Sequence, residues 1–322
     1  MNNNDNYNID VIIPTYNQGI FIVDAIKSVE AQTLKPKNIY IIDDGSTDDT
    51  STVVSEYIKN SPIPIVYRQK ENGGPNSARN MGLSLSNSDF VAFLDGDDKW
   101  HKDKLQEQID IYKNTSFKRL GLVYSKYETI NSKGSVNTEA INVAIDKNIR
   151  GSAFEKLLSG NKILGSASAV LIKREVFSEI GIFDENLRFG EDWDMWLRIA
   201  QKYDIDFADK ALVSIRRHNT NQTNDRSKVF LGEIDFYNKW SDKIANSYPA
   251  PSRWSDVIIL NLVVLAIKKQ NIFKFIKKIN RKTRKFIFKK TFSSIFIYFI
   301  YFTIKKIFDI KNQIKIIKRY AK

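Results

Sequence analysis

The sequence predicts an α/β fold with a mostly parallel central sheet, followed by a helical, basic C-terminal module. Short apolar runs alternate with helical periodicity through the first hundred residues, which suits a parallel sheet with right-handed crossovers. Those runs end in polar or acidic residues, at the strand ends where open α/β sheets hold ligands. The charge is divided along the chain: residues 268–322 hold 18 Lys and Arg against one acid, Asp309, a net +17 within a whole-chain +13. Residues 1–267 are therefore slightly acidic, at −4. Such asymmetry marks a second region with an anionic partner of its own.

At 322 residues, 42% hydrophobic and 27% charged, the chain is globular and long enough for one large or two ordinary domains. The absence of cysteine excludes disulfides and thiolate metal sites. Two histidines, His101 and His218, are too few for a histidine-rich zinc centre. Met1 to Asn6 is polar and lacks the apolar stretch of a signal peptide, so a cytoplasmic protein is expected.

Ile9 to Ile13 reads as the first strand, stopped by Pro14-Thr15-Tyr16-Asn17-Gln18-Gly19, a turn placed where α/β proteins hold nucleotides. Phe21 to Gln32 repeats Ile22, Ala25, Ile26 and Val29 at helical spacing. Ile39 to Ile42 is the second strand, ending in Asp43-Asp44-Gly45-Ser46, and Ile63 to Tyr67 is the third. A Gly73-Gly74-Pro75 loop then enters a helix near Asn76. With Arg79 close by, that helix start can hold a phosphate, although Gly-Gly-Pro is also simply a turn.

Phe90 to Leu94 is an unbroken apolar run, as in a strand buried on both faces, and it ends in Asp95, Asp97 and Asp98. Three carboxylates so close repel one another unless a cation or solvent compensates them. Their hard oxygens suit Mg²⁺ or Mn²⁺, with substrate phosphates completing the shell. The plainer alternative is a solvated turn leading into a helix from Lys102.

Leu120 to Ser125 and Ala167 to Ile172 read as strands, Arg174 to Ile180 as a helix, and Ile130 to Arg150 as a hairpin or loop. Trp193, Trp196, Leu197 and Ala200 share one helical face, with Glu191 and Asp192 in its first turn. Acids there complement the helix dipole, and Asp194 and Arg198 stand at i,i+4 spacing. A sharper reading makes one acid a general base. Ala211 to Ile215 is a last strand, delivering Arg216-Arg217-His218.

Taken in order, Val11-Ile12-Ile13-Pro14-Thr15-Tyr16-Asn17, Asp43-Asp44-Gly45-Ser46, Gly73 to Gly82, Leu94-Asp95-Gly96-Asp97-Asp98, Gly190-Glu191-Asp192 and Arg216 to His218 resemble the family 2 glycosyltransferases. The resemblance covers roughly residues 9–220. It implies the Rossmann-like glycosyltransferase A fold and transfer of a sugar from a nucleotide-sugar. By the same resemblance Asp44 contacts the nucleobase, and Pro14, Thr15 and Tyr16 hold the nucleoside. Asp95 serves the ribose and metal, Asp97 and His218 bind the metal, and Arg216 supports His218. Arg79 and Glu191 belong to the donor site, and Asp192 is the catalytic base. One base without a second carboxylate nucleophile suggests a single inverting displacement. A UDP-sugar is the default donor.

In the basic region Ile272, Ile276, Ile279, Thr283 and Phe286 recur at helical spacing among lysines and arginines, a basic amphipathic pattern. Thr291 to Ile304 is uncharged, but as a helix it spans only about 21 Å against a hydrocarbon core of roughly 30 Å, which favours an in-plane segment. The interleaved apolar face points to an anionic membrane surface and not to nucleic acid. The expected organisation is a catalytic, nucleotide-sugar-binding domain over 1–225 and a membrane-associating region over 226–322, on the cytoplasmic face of a bacterial membrane. The expected acceptor is a lipid-linked or oligosaccharide surface glycan. A nucleotidyltransferase and a non-catalytic nucleotide-sugar-binding scaffold are the alternatives.

Overall fold

The computed structural model describes residues 7–136, 149–219, 221 and 226–246. The chain divides into two compact units, Met1–Asn224 and Asp225–Lys322. Readings of the basic region 268–322, and of most of the 130–150 stretch, fall outside the described residues.

The first unit is built on β1 (Ile9–Thr15), β2 (Asn38–Asp43), β3 (Ile65–Gln69), β4 (Phe90–Phe93), β5 (Lys99–Trp100), β6 (Leu120–Asn131), β7 (Val170–Lys173) and β8 (Asp204–Arg217). They form one sheet in the order β3-β2-β1-β4-β7-β6-β8-β5. Strands β1 to β4 run parallel, as does β6 with β8; β7 pairs antiparallel with both β4 and β6, and β5 antiparallel with β8. The sheet is thus mostly parallel, with its polarity switching at β4–β7.

Helices α1 (Ile22–Glu30), α2 (Thr50–Tyr57), α3 (Pro75–Leu85) and α4 (Lys104–Asn114) follow the early strands, and α5 (Phe154–Leu158), α6 (Arg174–Ile180) and α7 (Glu191–Ala200) lie further along. Every residue of β1 and β4 is buried, which is why neither strand alternates apolar and polar residues. Helix α1 buries Ile22, Ala25, Ile26 and Val29, the stripe read from its periodicity. Helix α3 lies so close to β1 that a Cβ on Gly82 would sit 2.4 Å from Ile12 Cγ2.

Several boundaries depart from the sequence reading. The third strand starts at Ile65, α4 at Lys104, and β6 runs to Asn131, because its long parallel pairing with β8 continues that far. Ala167–Ala169 is a 3₁₀ turn and not a strand, since Ser166 caps it by accepting from the Ser168 N–H. On α7 Trp193 is only half-buried, whereas Asp194, Met195 and Ile199 are buried. The Asp194–Arg198 pair forms as spaced, at 2.9 Å.

In the second unit α8 (Arg226–Asn246) buries Phe230, Ile234, Tyr237, Trp240 and Ile244, a stripe at helical spacing. Among the described residues no helix is long and apolar enough to cross a membrane.

Candidate active site

The site lies at the carboxyl ends of β1, β2 and β4, where loops meet over the sheet's change of polarity. Pro14 and Thr15 close β1 in register with Ile42 and Asp43. Thr15 is buried and its hydroxyl donates to Gln18 Oε1 at 3.1 Å, whereas Tyr16 is 45% exposed. The carboxylates after β2 are already engaged. Asp43 accepts from the Ser46 N–H and from the Tyr67 hydroxyl. Asp44 Oδ1 accepts from the Gly73 N–H and Lys70 Nζ, both at 2.9 Å, and Oδ2 accepts from the Gly74 N–H at 2.6 Å. Asp44 therefore ties the Gly-Gly loop to the sheet.

Arg79 sits inside the protein, 3% exposed, at the centre of an acid cluster. Its Nη2 donates to Asp95 Oδ1 at 2.9 Å, and Nη1 lies 3.5 Å from Asp192 Oδ1 and 3.7 Å from Glu191 Oε1. Burial works to lower the guanidinium's pKa, but Asp192, Asp95 and Glu191 reverse this and hold it above its ordinary value. Burial, and then Asp192, pushes Glu191 up to about 8, against the pull of Arg79.

Asp192, at the start of α7, is not an isolated carboxylate. It is ion-paired to Arg79, and burial raises its pKa despite the pull of Arg79 and the Ala167 N–H. Its two oxygens differ. Oδ2 accepts from the Ala167 N–H at 3.1 Å, whereas Oδ1 is buried and accepts no hydrogen bond.

On the other side of Asp95, Asp97 Oδ2 lies 2.8 Å from His218 Nε2 and 3.4 Å from Asn221 Nδ2. Burial, then Asp95, raises the pKa of Asp97; burial and then Asp97 raise the neighbouring Asp98 well above its ordinary value. Arg216 braces this corner from within. At 2% exposure, it donates to Asp24 Oδ2, the Asp97 carbonyl and the Ser132 carbonyl, and its guanidinium lies 4.8 Å from the Phe21 ring centre. Its backbone N–H donates to Asp98.

Among the described residues no three His, Asp or Glu side chains converge as a metal-holding group. The chemistry of the donors nevertheless fits a hard divalent cation. Mg²⁺ commonly takes one or two carboxylates and fills its shell with phosphates and water. Asp95 and Asp97 keep 26% and 13% of their side chains exposed, and their mutual repulsion is what a cation would relieve.

Sequence reasoning missed the residues that hold these groups together. Asn76 Nδ2 donates to the carbonyls of Asp184 and Leu187. Asn80 exchanges hydrogen bonds with the backbone of Phe183 and donates to Glu185. Asn76, Arg79 and Asn80 stand at i, i+3 and i+4, so one polar face inside a buried helix was the available signal. Ser166 and Ser168, which bind Asp95 and Asp98, gave none.

Acids at the ends of parallel strands and at the start of α7 thus gather around one buried arginine, where an α/β sheet holds its ligands. The chain belongs to glycosyl transferase family 2, whose profile matches residues 10–181. It is 36% identical over 228 residues to an uncharacterized glycosyltransferase of Rickettsia conorii, across 70% of this chain and 36% of that protein. The matched region thus spans little more than a third of that relative. The amylovoran biosynthesis glycosyltransferase AmsB of Erwinia amylovora is 29% identical over 193 residues, 58% of this chain and 62% of that one. Among solved structures, Staphylococcus aureus TarS 1–349 in complex with UDP-GlcNAc aligns with a TM-score of 0.58 at 18% identity, over 87% of this chain and 78% of that one. That likeness speaks for the fold, the glycosyltransferase A type.

Proposed function

We propose that the chain is an inverting, divalent-metal-dependent glycosyltransferase. It moves a sugar from a nucleoside-diphosphate sugar, a UDP-sugar by default, to a hydroxyl of a lipid-linked or oligosaccharide surface glycan. Family membership supports the reaction class. AmsB, named for amylovoran biosynthesis, and TarS, crystallised with UDP-GlcNAc, support the acceptor and donor classes.

The observation that carries the reading is the Oδ1 of Asp192, a buried acceptor with no hydrogen bond. The acceptor hydroxyl must lose its proton as its oxygen attacks the anomeric carbon, and Asp192 Oδ1 takes that proton. The bond from the anomeric carbon to the diphosphate breaks, and its electron pair leaves with the nucleoside diphosphate. Arg79, 3.5 Å from the same oxygen, works against the rise in pKa that burial causes. A base whose pKa burial has raised is also moved toward neutral pH, the direction that suits a general base.

Pro14, Thr15, Tyr16 and Asp44 line the nucleoside end of the site, and Asp95 faces the ribose. Asp97 and His218, with Asp95 beside them, would hold the cation, which when bound stabilises charge on the departing diphosphate. Arg216 keeps that corner in place, and Glu191 flanks the donor. Residues 1–225 form the catalytic domain. Residues 226–322 attach it, through the basic 268–322 stretch, to an anionic membrane surface on the cytoplasmic side.

The test is nucleoside diphosphate release from a panel of UDP-, dTDP- and GDP-sugars with Mn²⁺ or Mg²⁺. Asp192→Asn should lower turnover by about 10²–10⁴-fold. Release of inorganic diphosphate from a nucleoside triphosphate and a sugar 1-phosphate, supplied in place of the nucleotide-sugars, would point to a nucleotidyltransferase. Donor binding without turnover, even with lipid-linked acceptors and membranes, would point to a scaffold.

A further inference from the structure

We propose that the Gly165–Ser168 turn is a clamp that sets the spacing between the donor-side acids and the base, with Ser166 as its positioning residue. The inference rests on the reading of the site given above. The turn enters β7 beside the carboxyl end of β4, across the antiparallel pairing in which Ala92 faces Leu171. Three successive residues each hold a different acid. The Ser166 hydroxyl donates to Asp95 Oδ2 at 3.1 Å, the Ala167 N–H to Asp192 Oδ2 at 3.1 Å, and the Ser168 hydroxyl to Asp98 Oδ2 at 2.7 Å. The Asp95 N–H in turn donates to Ser168 Oγ at 3.0 Å.

The backbone conformation singles out Ser166. Its φ of 58° and ψ of −168° lie in a region that is essentially glycine-only, and it follows Gly165 at φ +99°. Glycine would adopt this turn without strain, but it would lack the hydroxyl on Asp95.

The turn is also fixed from behind. Trp100 Nε1, Gln108 Nε2 and Lys104 Nζ donate to the carbonyls of Ser168, Ala169 and Val170 in succession. Lys104 and Gln108 are fully buried. A turn held on both sides sets where the acids stand. By taking Oδ2 of Asp192 on a backbone N–H, it also leaves Oδ1 as the oxygen that receives the proton.

The experiment compares wild type, Ser166→Gly and Ser166→Ala in the full chain by thermal melting, nucleotide affinity with UDP, and steady-state kinetics on the donor that wild type turns over. Ser166→Gly removes strain and hydroxyl together, so its Tm should equal or exceed that of wild type. Ser166→Ala keeps the strained backbone, so its Tm should fall. Both should lose about tenfold or more in kcat, a larger factor than any loss of UDP affinity through Asp95, since misplacing reacting groups costs rate more than binding. Ser166→Gly with wild-type kcat overturns the clamp, and so does a Tm loss or unfolding in that variant. A wild-type chain that turns over no donor overturns the reading of the site itself, and the clamp with it.

Discussion

Arg79 is the residue on which the site's charge balance turns. It faces Asp95, Asp192 and Glu191 from a position closed to solvent. Arg79→Met would leave those acids uncompensated and should cost about 3–5 kcal/mol near neutral pH, read by chemical unfolding. The loss should shrink as pH falls, because Glu191 and Asp192, both raised above their ordinary pKa, take up protons and need the cation less. Glu191 gives a second pH test. Its folded pKa, about 8, lies above its ordinary 4.5, so the stability it contributes is complete below that ordinary value. It is lost as pH rises through about 8. Glu191→Gln should therefore match wild type in Tm near pH 5 and exceed it near pH 9.

At the scale of elements, α3 organises the site. One face of it packs on β1 through Gly82, and another carries Asn76, Arg79 and Asn80 toward the 183–192 segment. Gly82→Ala should destabilise by about 1–3 kcal/mol, because the added methyl meets the buried Ile12. In a double-mutant cycle Ile12→Ala should cost less in the Gly82→Ala background than alone, since one methyl fills part of the space left by the other change. Asn80→Ala would strand the Phe183 backbone and should lower stability by about 1–3 kcal/mol. Strands β1 to β4 and helices α1, α3, α6 and α7 were readable from the sequence, whereas α2, β5, α5 and α8 were not. Their interlocking was not, because Asn76 and Asn80 reach residues more than a hundred positions away.

At the scale of the whole molecule, two expectations concern what the chain binds. Chelation with EDTA should abolish nucleoside diphosphate release and added Mn²⁺ or Mg²⁺ should restore it. Asp97→Asn and His218→Ala should each raise the metal concentration needed for half-maximal rate. The basic 268–322 stretch should carry the chain onto vesicles containing anionic lipid, but not onto neutral ones. About 0.5 M salt should release it, as expected when several basic residues each add about 1 kcal/mol near such a surface. Vesicle sedimentation checks this, and binding to neutral vesicles would point to apolar insertion instead.

The sequence alone determined the alternating α/β order, the acids at the strand ends and the basic C-terminal stretch, because hydrophobic period and charge are local properties. It also marked Asp192 and its neighbours, since strand ends and helix starts are where an α/β sheet exposes side chains. Only the tertiary structure decided how those acids are held. The sheet changes polarity at β4–β7, which sets a serine turn against a run of aspartates some seventy residues earlier. Arg79, read as a phosphate ligand, became the buried counter-charge of three acids, because the helix carrying it is covered by the 183–192 segment. Pairing between distant segments depends on the packed sheet, and no local pattern encodes it.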